Sequence, residues 1–134
     1  MAGFVRNGYP VFTSPELTAC RDFYALAFDA RVLFESPWYL QLAIDELQVG
    51  FVHPSPPMRL PVFRHTTPSR ASSLVLEVAD IDAAYTELLT RGVEALGKPE
   101  TFPDGEIAFQ VVDPAGVVLN LIQAPEGEGL DLEF

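Results

Sequence analysis

Residues 73–92 read SLVLEVADIDAAYTELLTRG. The first part, Ser73–Val78, is rich in branched apolar side chains and predicts a β-strand. Asp80 is a suitable helix N-cap, and Gly92 is a typical residue to end a helix. Between them apolar residues recur at helical spacing, at Ile81, Ala84, Tyr85, Leu88 and Leu89. The segment therefore predicts a strand followed at once by an amphipathic helix.

The same pattern occurs earlier in the chain, because Leu17 and Ile81 hold the same place 64 residues apart. Ser14 is the expected N-cap of this first helix, and Pro15 suits its first turn. Strands are predicted at Tyr9–Thr13, Arg31–Glu35, Trp38–Ile44 and Leu47–His53 in the first half, and at Val93–Leu96, Glu106–Val112 and Val117–Gln123 after the second helix. Each half therefore predicts a βαβββ unit.

These halves define the expected organisation of one domain over residues 1–134. The first module covers residues 8–53 and the second covers residues 72–124. Residues 54–71 contain five prolines, which favours an extended linker. Residues 125–134 carry four acidic side chains and are expected to form a mobile acidic tail.

The composition is that of a globular protein, with 49% hydrophobic residues and a formal net charge of −11. This negative charge disfavours nucleic acid and membrane surfaces as partners and favours a cationic ligand. No apolar run reaches the roughly 18 residues of a membrane span, and the N-terminus lacks the apolar stretch of a signal peptide. A cytoplasmic location is the expectation. Cys20 is the only cysteine, so no internal disulfide can form.

Several short motifs in order resemble the vicinal oxygen chelate superfamily, which includes glyoxalase I, extradiol dioxygenases and bleomycin-resistance proteins. The matching segments are Phe23-Tyr24, Val78-Ala79-Asp80-Ile81, Arg91-Gly92-Val93-Glu94, Phe102-Pro103-Asp104-Gly105, Asp113-Pro114-Ala115-Gly116 and Leu119-Asn120-Leu121-Ile122. The resemblance implies an α+β fold in which two βαβββ modules form a cup. It also implies a homodimer, with modules pairing within a chain or exchanged between chains.

Metal-dependent members of this superfamily take one ligand from the first strand and one from the last strand of each module. The resemblance places these positions at Tyr9, Gly50, Ser73 and Asn120. None of the four is a histidine or a carboxylate, so we expect no metal and no other cofactor. His53 and His65 are the remaining alternatives for an unorthodox metal site.

Strand alternation predicts which side chains line the cup. A turn at Asp45-Glu46 pairs Leu42 with Val49, which places an apolar side against the helix. A second turn, from Asp113 to Gly116, is expected to pair Phe109 with Asn120. The resulting ligand-binding prediction is Tyr9, Phe34, Tyr39, Gln41, Glu77, Phe109 and Asn120.

Glu77 is the sharpest candidate for catalysis, because a carboxylate on a mostly apolar face can act as a base, and the tyrosines and the two histidines are the other candidates for an enzyme. It can equally be the counter-ion of a cationic ligand or the partner of an arginine at the sheet edge. The sequence favours a small-molecule binder that sequesters an antibiotic or a metabolite. One alternative is a lyase, isomerase or dioxygenase of the same superfamily with an atypical or absent metal site. Another is a regulatory or interaction module whose cup is filled or vestigial.

Overall fold

The computed structural model describes residues 3–54 and 72–123. The chain forms two compact units that divide between Ser69 and Arg70. In each, the described residues form a four-stranded mixed sheet with one helix packed on one face. The predicted α+β fold of two βαβββ modules is confirmed. Within the described ranges, neither helix is long and apolar enough to cross a bilayer.

The two units share one topology. The first contains β1 (Val11–Thr13), α1 (Leu17–Phe28), β2 (Arg31–Glu35), β3 (Tyr39–Ile44) and β4 (Leu47–Val52) in the sheet order β1-β4-β3-β2. The second contains β5 (Ser73–Glu77), α2 (Ile81–Thr90), β6 (Glu100–Thr101), β7 (Ile107–Val112) and β8 (Val118–Gln123) in the order β5-β8-β7-β6. In both, the leading strand pairs in parallel with the last one. Of the predicted linker only Pro54 is described, and the predicted tail lies outside the described residues.

The helix starts differ from each other. Asp80 caps α2 as predicted, since its Oδ1 accepts the N–H of Ala83 at 3.0 Å. Ser14 does not cap α1. The helix begins at Leu17, and the Ser14 hydroxyl instead accepts the N–H of Glu16 at 3.0 Å in the turn before it.

The predicted strand Val93–Leu96 is wrong, and the edge of the second sheet is β6 instead. The N–H of Val93 donates to the carbonyl of Leu88 at 2.9 Å, so this residue completes the C-terminal turn of α2. Only Leu96 reaches the sheet, where its N–H donates to the carbonyl of Gln110 at 2.8 Å. The residues predicted as a strand therefore begin by closing the C-terminal turn of α2 and do not form a strand of their own.

The first hairpin has the predicted register, with Leu42 opposite Val49 and Leu40 opposite Phe51. All four side chains are fully buried. On this side the Tyr24 ring of α1 lies 5.5 Å from the ring of Phe51. Burying this apolar face under the helix is the main source of stability of the first unit.

The predicted register of the second hairpin is wrong by one residue. Phe109 pairs with Leu121, and Gln110 pairs with Asn120. The reason lies in the loop, where Asp113 donates its N–H to the carbonyl of Val117, so that the loop has five residues rather than four. The Asp113 side chain holds this loop by accepting two further backbone N–H groups. One extra loop residue moves every side chain of β7 to the opposite face.

Candidate functional site

Each sheet has one face turned away from its helix, here called the distal face. Because paired residues in a ladder share a face, the register places Val11, Phe34 and Gln41 on the first distal face with Gly50. Tyr39, two residues before Gln41, lies on the same side, and its ring is 6.4 Å from that of Phe34. The structure therefore brings together four of the predicted ligand-binding residues, Tyr9, Phe34, Tyr39 and Gln41.

A chain of side-chain hydrogen bonds crosses the first distal face. The Tyr39 hydroxyl donates to Gln41 Oε1 at 2.5 Å, and Gln41 Nε2 donates to Gln48 Oε1 at 2.9 Å. Tyr9 lies close enough to Tyr39 to affect the pKa of that phenol. Burial, together with the charge and hydrogen bond of Tyr9, raises the pKa of Tyr39 to about 12. Burial of the phenol therefore keeps it protonated at neutral pH, where it can donate to Gln41.

The resemblance assigns Gly50 to the position from which the first module of a metal enzyme would supply a carboxylate. A Cβ atom on Gly50 would lie 2.9 Å from Tyr39 Cζ, 3.0 Å from Gln41 Oε1 and closer still to Tyr39 Oη. The tyrosine therefore fills the space that a longer side chain at this position would need. Any larger residue at this position would require the Tyr39 phenol to shift, whereas the backbone conformation of Gly50 does not itself demand glycine.

The other positions that the resemblance assigns to metal ligands, Tyr9, Ser73 and Asn120, do not supply the carboxylate that Gly50 lacks. Ser73 pairs with Val118 and is exposed, and Asn120 pairs with Val75 on the second distal face. A phenol, a glycine, a hydroxyl and an amide do not make a ligand set for the zinc, nickel or iron ions that histidine and carboxylate sites hold. Within residues 3–54 and 72–123, no group of three or more His, Cys, Asp or Glu side chains is placed to bind a metal.

The second distal face carries an amide pair and a hollow. Gln110 Nε2 donates to Asn120 Oδ1 at 2.8 Å. Both side chains line a hollow of about 450 Å³. Its remaining walls are Phe102, Pro103, Asp104, Glu106 and Ala108.

Gln110 is a site residue that sequence reasoning missed, because the wrong register placed it against the helix. Gln41 pairs with Gly50 as Gln110 pairs with Asn120, so the two glutamines occupy equivalent places in the repeat. An alignment of the two modules would have identified Gln110 as the equivalent of Gln41, whereas the register inferred from the length of the turn did not.

The remaining candidates are dispersed. Glu77 is exposed on the second distal face, opposite Ile122, and in the described part of the chain it forms no ion pair. Phe109 is not on this face. It is 1% exposed, and its ring packs edge-on against Tyr85 of α2 at 5.2 Å, so its prediction as a ligand-binding residue is corrected to a core position.

The two histidines are not brought together by anything the structure describes. His53 stacks edge-on with Trp38 at 5.6 Å and lines a hollow of about 280 Å³ beside the start of α1, on the helix side of the sheet. His65 lies outside the described residues.

Residues 8–121 match the model of the Glyoxalase/Bleomycin resistance protein/Dioxygenase superfamily, and the chain belongs to this superfamily. A 2-epi-5-epi-valiolone epimerase from an Actinomyces species is 26% identical, over 93% of this chain and 82% of the epimerase. A glyoxalase/bleomycin resistance protein/dioxygenase of known structure from Nocardioides matches with a TM-score of 0.74 at 18% identity, covering 98% of this chain and 93% of that one. A bleomycin-binding protein solved in complex with bleomycin matches with a TM-score of 0.66 at 21% identity, covering 89% and 98%.

Proposed function

We propose that this protein binds a small organic molecule through hydrogen bonds and apolar contacts, without a catalytic metal, and thereby sequesters an antibiotic or a metabolite. The observation that carries this proposal is the Tyr39 hydroxyl over Gly50. Where a superfamily enzyme needs an anionic ligand, this chain has a neutral phenol already bonded to Gln41. A face built from phenol and amide groups recognises uncharged polar atoms and does not hold a cation by coordination.

The ligand class follows from charge and from the similar proteins. The net charge of −11 attracts cationic molecules and repels anionic ones. Glu77, exposed on the second distal face, is the proposed counter-ion. A protein of similar fold has been solved with bleomycin bound, so bleomycin is the first compound to test.

Thermal unfolding with bleomycin and a panel of cationic, neutral and anionic drugs tests the proposal. A bound ligand at one hundred times its Kd adds about 2.7 kcal/mol to the free energy of unfolding, which raises the Tm of a domain of this size by roughly 5–10 °C. Glu77→Gln should weaken cationic ligands and leave neutral ones unchanged, and Glu94→Gln is a matched exposed control. A panel in which no compound raises the Tm would contradict sequestration.

A second candidate is an enzyme of the same superfamily, which the similarity to the valiolone epimerase favours because it covers most of both chains. Metal analysis of the purified protein, followed by NMR assays of cyclitol epimerisation with and without added Zn, Ni, Mn or Fe, separates the two functions. We expect substoichiometric metal and no turnover. Stoichiometric metal that is lost in His53→Ala or His65→Ala would replace the binding proposal with the enzyme.

Association into a homodimer is a prediction from the family. Light scattering of the purified protein at several concentrations measures it directly. A mass of one chain at every concentration would contradict it.

A further inference from the structure

We infer that the hollow on the second distal face is a subsite for a neutral or cationic ligand that presents a carboxamide-like pair, one hydrogen-bond donor beside one acceptor. The subsite presupposes the proposed function, since it names the chemical group that the bound molecule would offer. The hollow is lined from β7, β8 and the Phe102–Glu106 loop, all within the second unit.

The floor of the hollow has defined polarity. Because Gln110 Nε2 donates to Asn120 Oδ1, the acceptor Gln110 Oε1 and the donor Asn120 Nδ2 remain for a ligand, together with the second N–H of Gln110 Nε2. In the described part of the chain, neither side chain forms another side-chain hydrogen bond. A primary amide offers the complementary groups, an N–H for Gln110 Oε1 and a carbonyl for Asn120 Nδ2.

The walls restrict the rest of the ligand. Phe102, which is 41% exposed, joins Pro103 and Ala108 as the apolar surface against which a flat or aliphatic group can pack. Asp104 and Glu106 line the same hollow and disfavour an anionic group. The volume of about 450 Å³ is within the range of small-molecule pockets.

The equivalent place in the first unit does not offer this pair. Gln41 uses its oxygen for Tyr39 and its nitrogen for Gln48, and it is only 7% exposed. Of the two equivalent glutamines, Gln41 therefore has both its oxygen and its nitrogen bonded within the protein, whereas the oxygen of Gln110 is left for a ligand. This asymmetry assigns amide recognition to the second unit.

Titration of the ¹⁵N-labelled protein with three probes of one shape tests the subsite. Benzamide has the donor and the acceptor, benzoate has acceptors and a negative charge, and benzamidine has donors and a positive charge. We expect benzamide to shift the side-chain amide resonances of Gln110 and Asn120 and to bind at least about fivefold more tightly than benzoate, which meets both carboxylates and lacks the donor. Benzamidine should fall between them. Shifts confined to other parts of the protein, or benzoate binding as tightly as benzamide, would overturn the subsite.

Asn120→Asp removes the donor at constant shape and should weaken benzamide by about fivefold to tenfold. Asn7→Asp makes the same exchange at an exposed residue and should have no effect. Unchanged affinity in a folded Asn120→Asp variant would overturn the subsite.

Its failure is distinguishable from that of the proposed function. If benzamide avoids the hollow while bleomycin or another drug raises the Tm, the subsite is refuted and sequestration stands. If benzamide binds as expected while no drug raises the Tm, the subsite stands and sequestration is refuted.

Discussion

Removing one hydroxyl, by Tyr39→Phe, tests the network that stands over Gly50. The Tyr39 hydroxyl donates to Gln41 Oε1, and Gln41 is largely buried, so the variant leaves an acceptor without its donor. The lost bond and the unpaired oxygen together should lower the free energy of unfolding by about 1–2 kcal/mol. Van der Waals packing of the ring is unchanged.

The pH dependence gives an independent signature. The pKa of Tyr39 is raised to about 12, above its ordinary value of 10.0, so the folded protein holds this proton more tightly than the unfolded chain. The stabilisation is therefore fully present below pH 10 and is lost as the pH rises from 10 towards 12. Because the phenol is partly exposed and screened by solvent, the expected loss in the free energy of unfolding is about 1 kcal/mol. Tyr39→Phe should lack this loss.

Urea unfolding followed by fluorescence and circular dichroism at neutral pH and at pH values between 10 and 11.5 measures both effects. At neutral pH the midpoint should fall by roughly 0.5–1 M urea with an unchanged m-value. Tyr85→Phe is the matched control, because among the described residues the Tyr85 hydroxyl forms no hydrogen bond while its ring packs on Phe109. Equal losses in the two variants at neutral pH, or an alkaline loss in Tyr39→Phe as large as in the unmodified protein, would refute the role assigned to the hydroxyl.

Three further pairs of variants test the fold that positions the site, and each pair is compared by urea unfolding. Asp113→Ala removes an acceptor that is 4% exposed and bonds to the N–H groups of Ala115 and Val117, so it should cost about 2–3 kcal/mol, with Asp113→Asn costing less. Asp80→Ala removes the N-cap of α2 and should cost about 1 kcal/mol, whereas Asp80→Ser should restore most of it. Phe109→Ala should cost about 3–4 kcal/mol and Val112→Ala under about 1 kcal/mol, and equal costs would contradict the observed register.

Much of the fold could be predicted because its signals are local. The cap of α2 at Asp80, the apolar stripes of both helices and the repeat of the βαβββ pattern each depend on residues close together in the chain. The first hairpin register followed from a two-residue turn at Asp45-Glu46, which leaves a single pairing. Ser14 failed as a cap for a local reason too, because its hydroxyl bonds within the turn that precedes α1.

The second distal face could not be predicted in the same way. The same sequence is compatible with a four-residue turn and with a five-residue loop between β7 and β8. Which of the two forms depends on the hydrogen bonds between Asp113 and Val117 across the loop. That one residue exchanges Phe109 for Gln110 on the distal face. Because side chains alternate between the two faces of a strand, an error of one residue in the turn length assigns every side chain of the strand to the wrong face.

The sequence alone predicted that the chain is built from two similar α+β halves, and its resemblance to the superfamily implied that Tyr9, Gly50, Ser73 and Asn120 occupy the positions of metal ligands. Only the tertiary structure decided that the Tyr39 hydroxyl fills the space over Gly50 and that Gln110 pairs with Asn120 beside a hollow. The physical reason is range. Helices and strands are signalled by residues that are close together in the sequence. The hydrogen-bond partners of a phenol or an amide depend instead on the register between strands that are distant in the sequence.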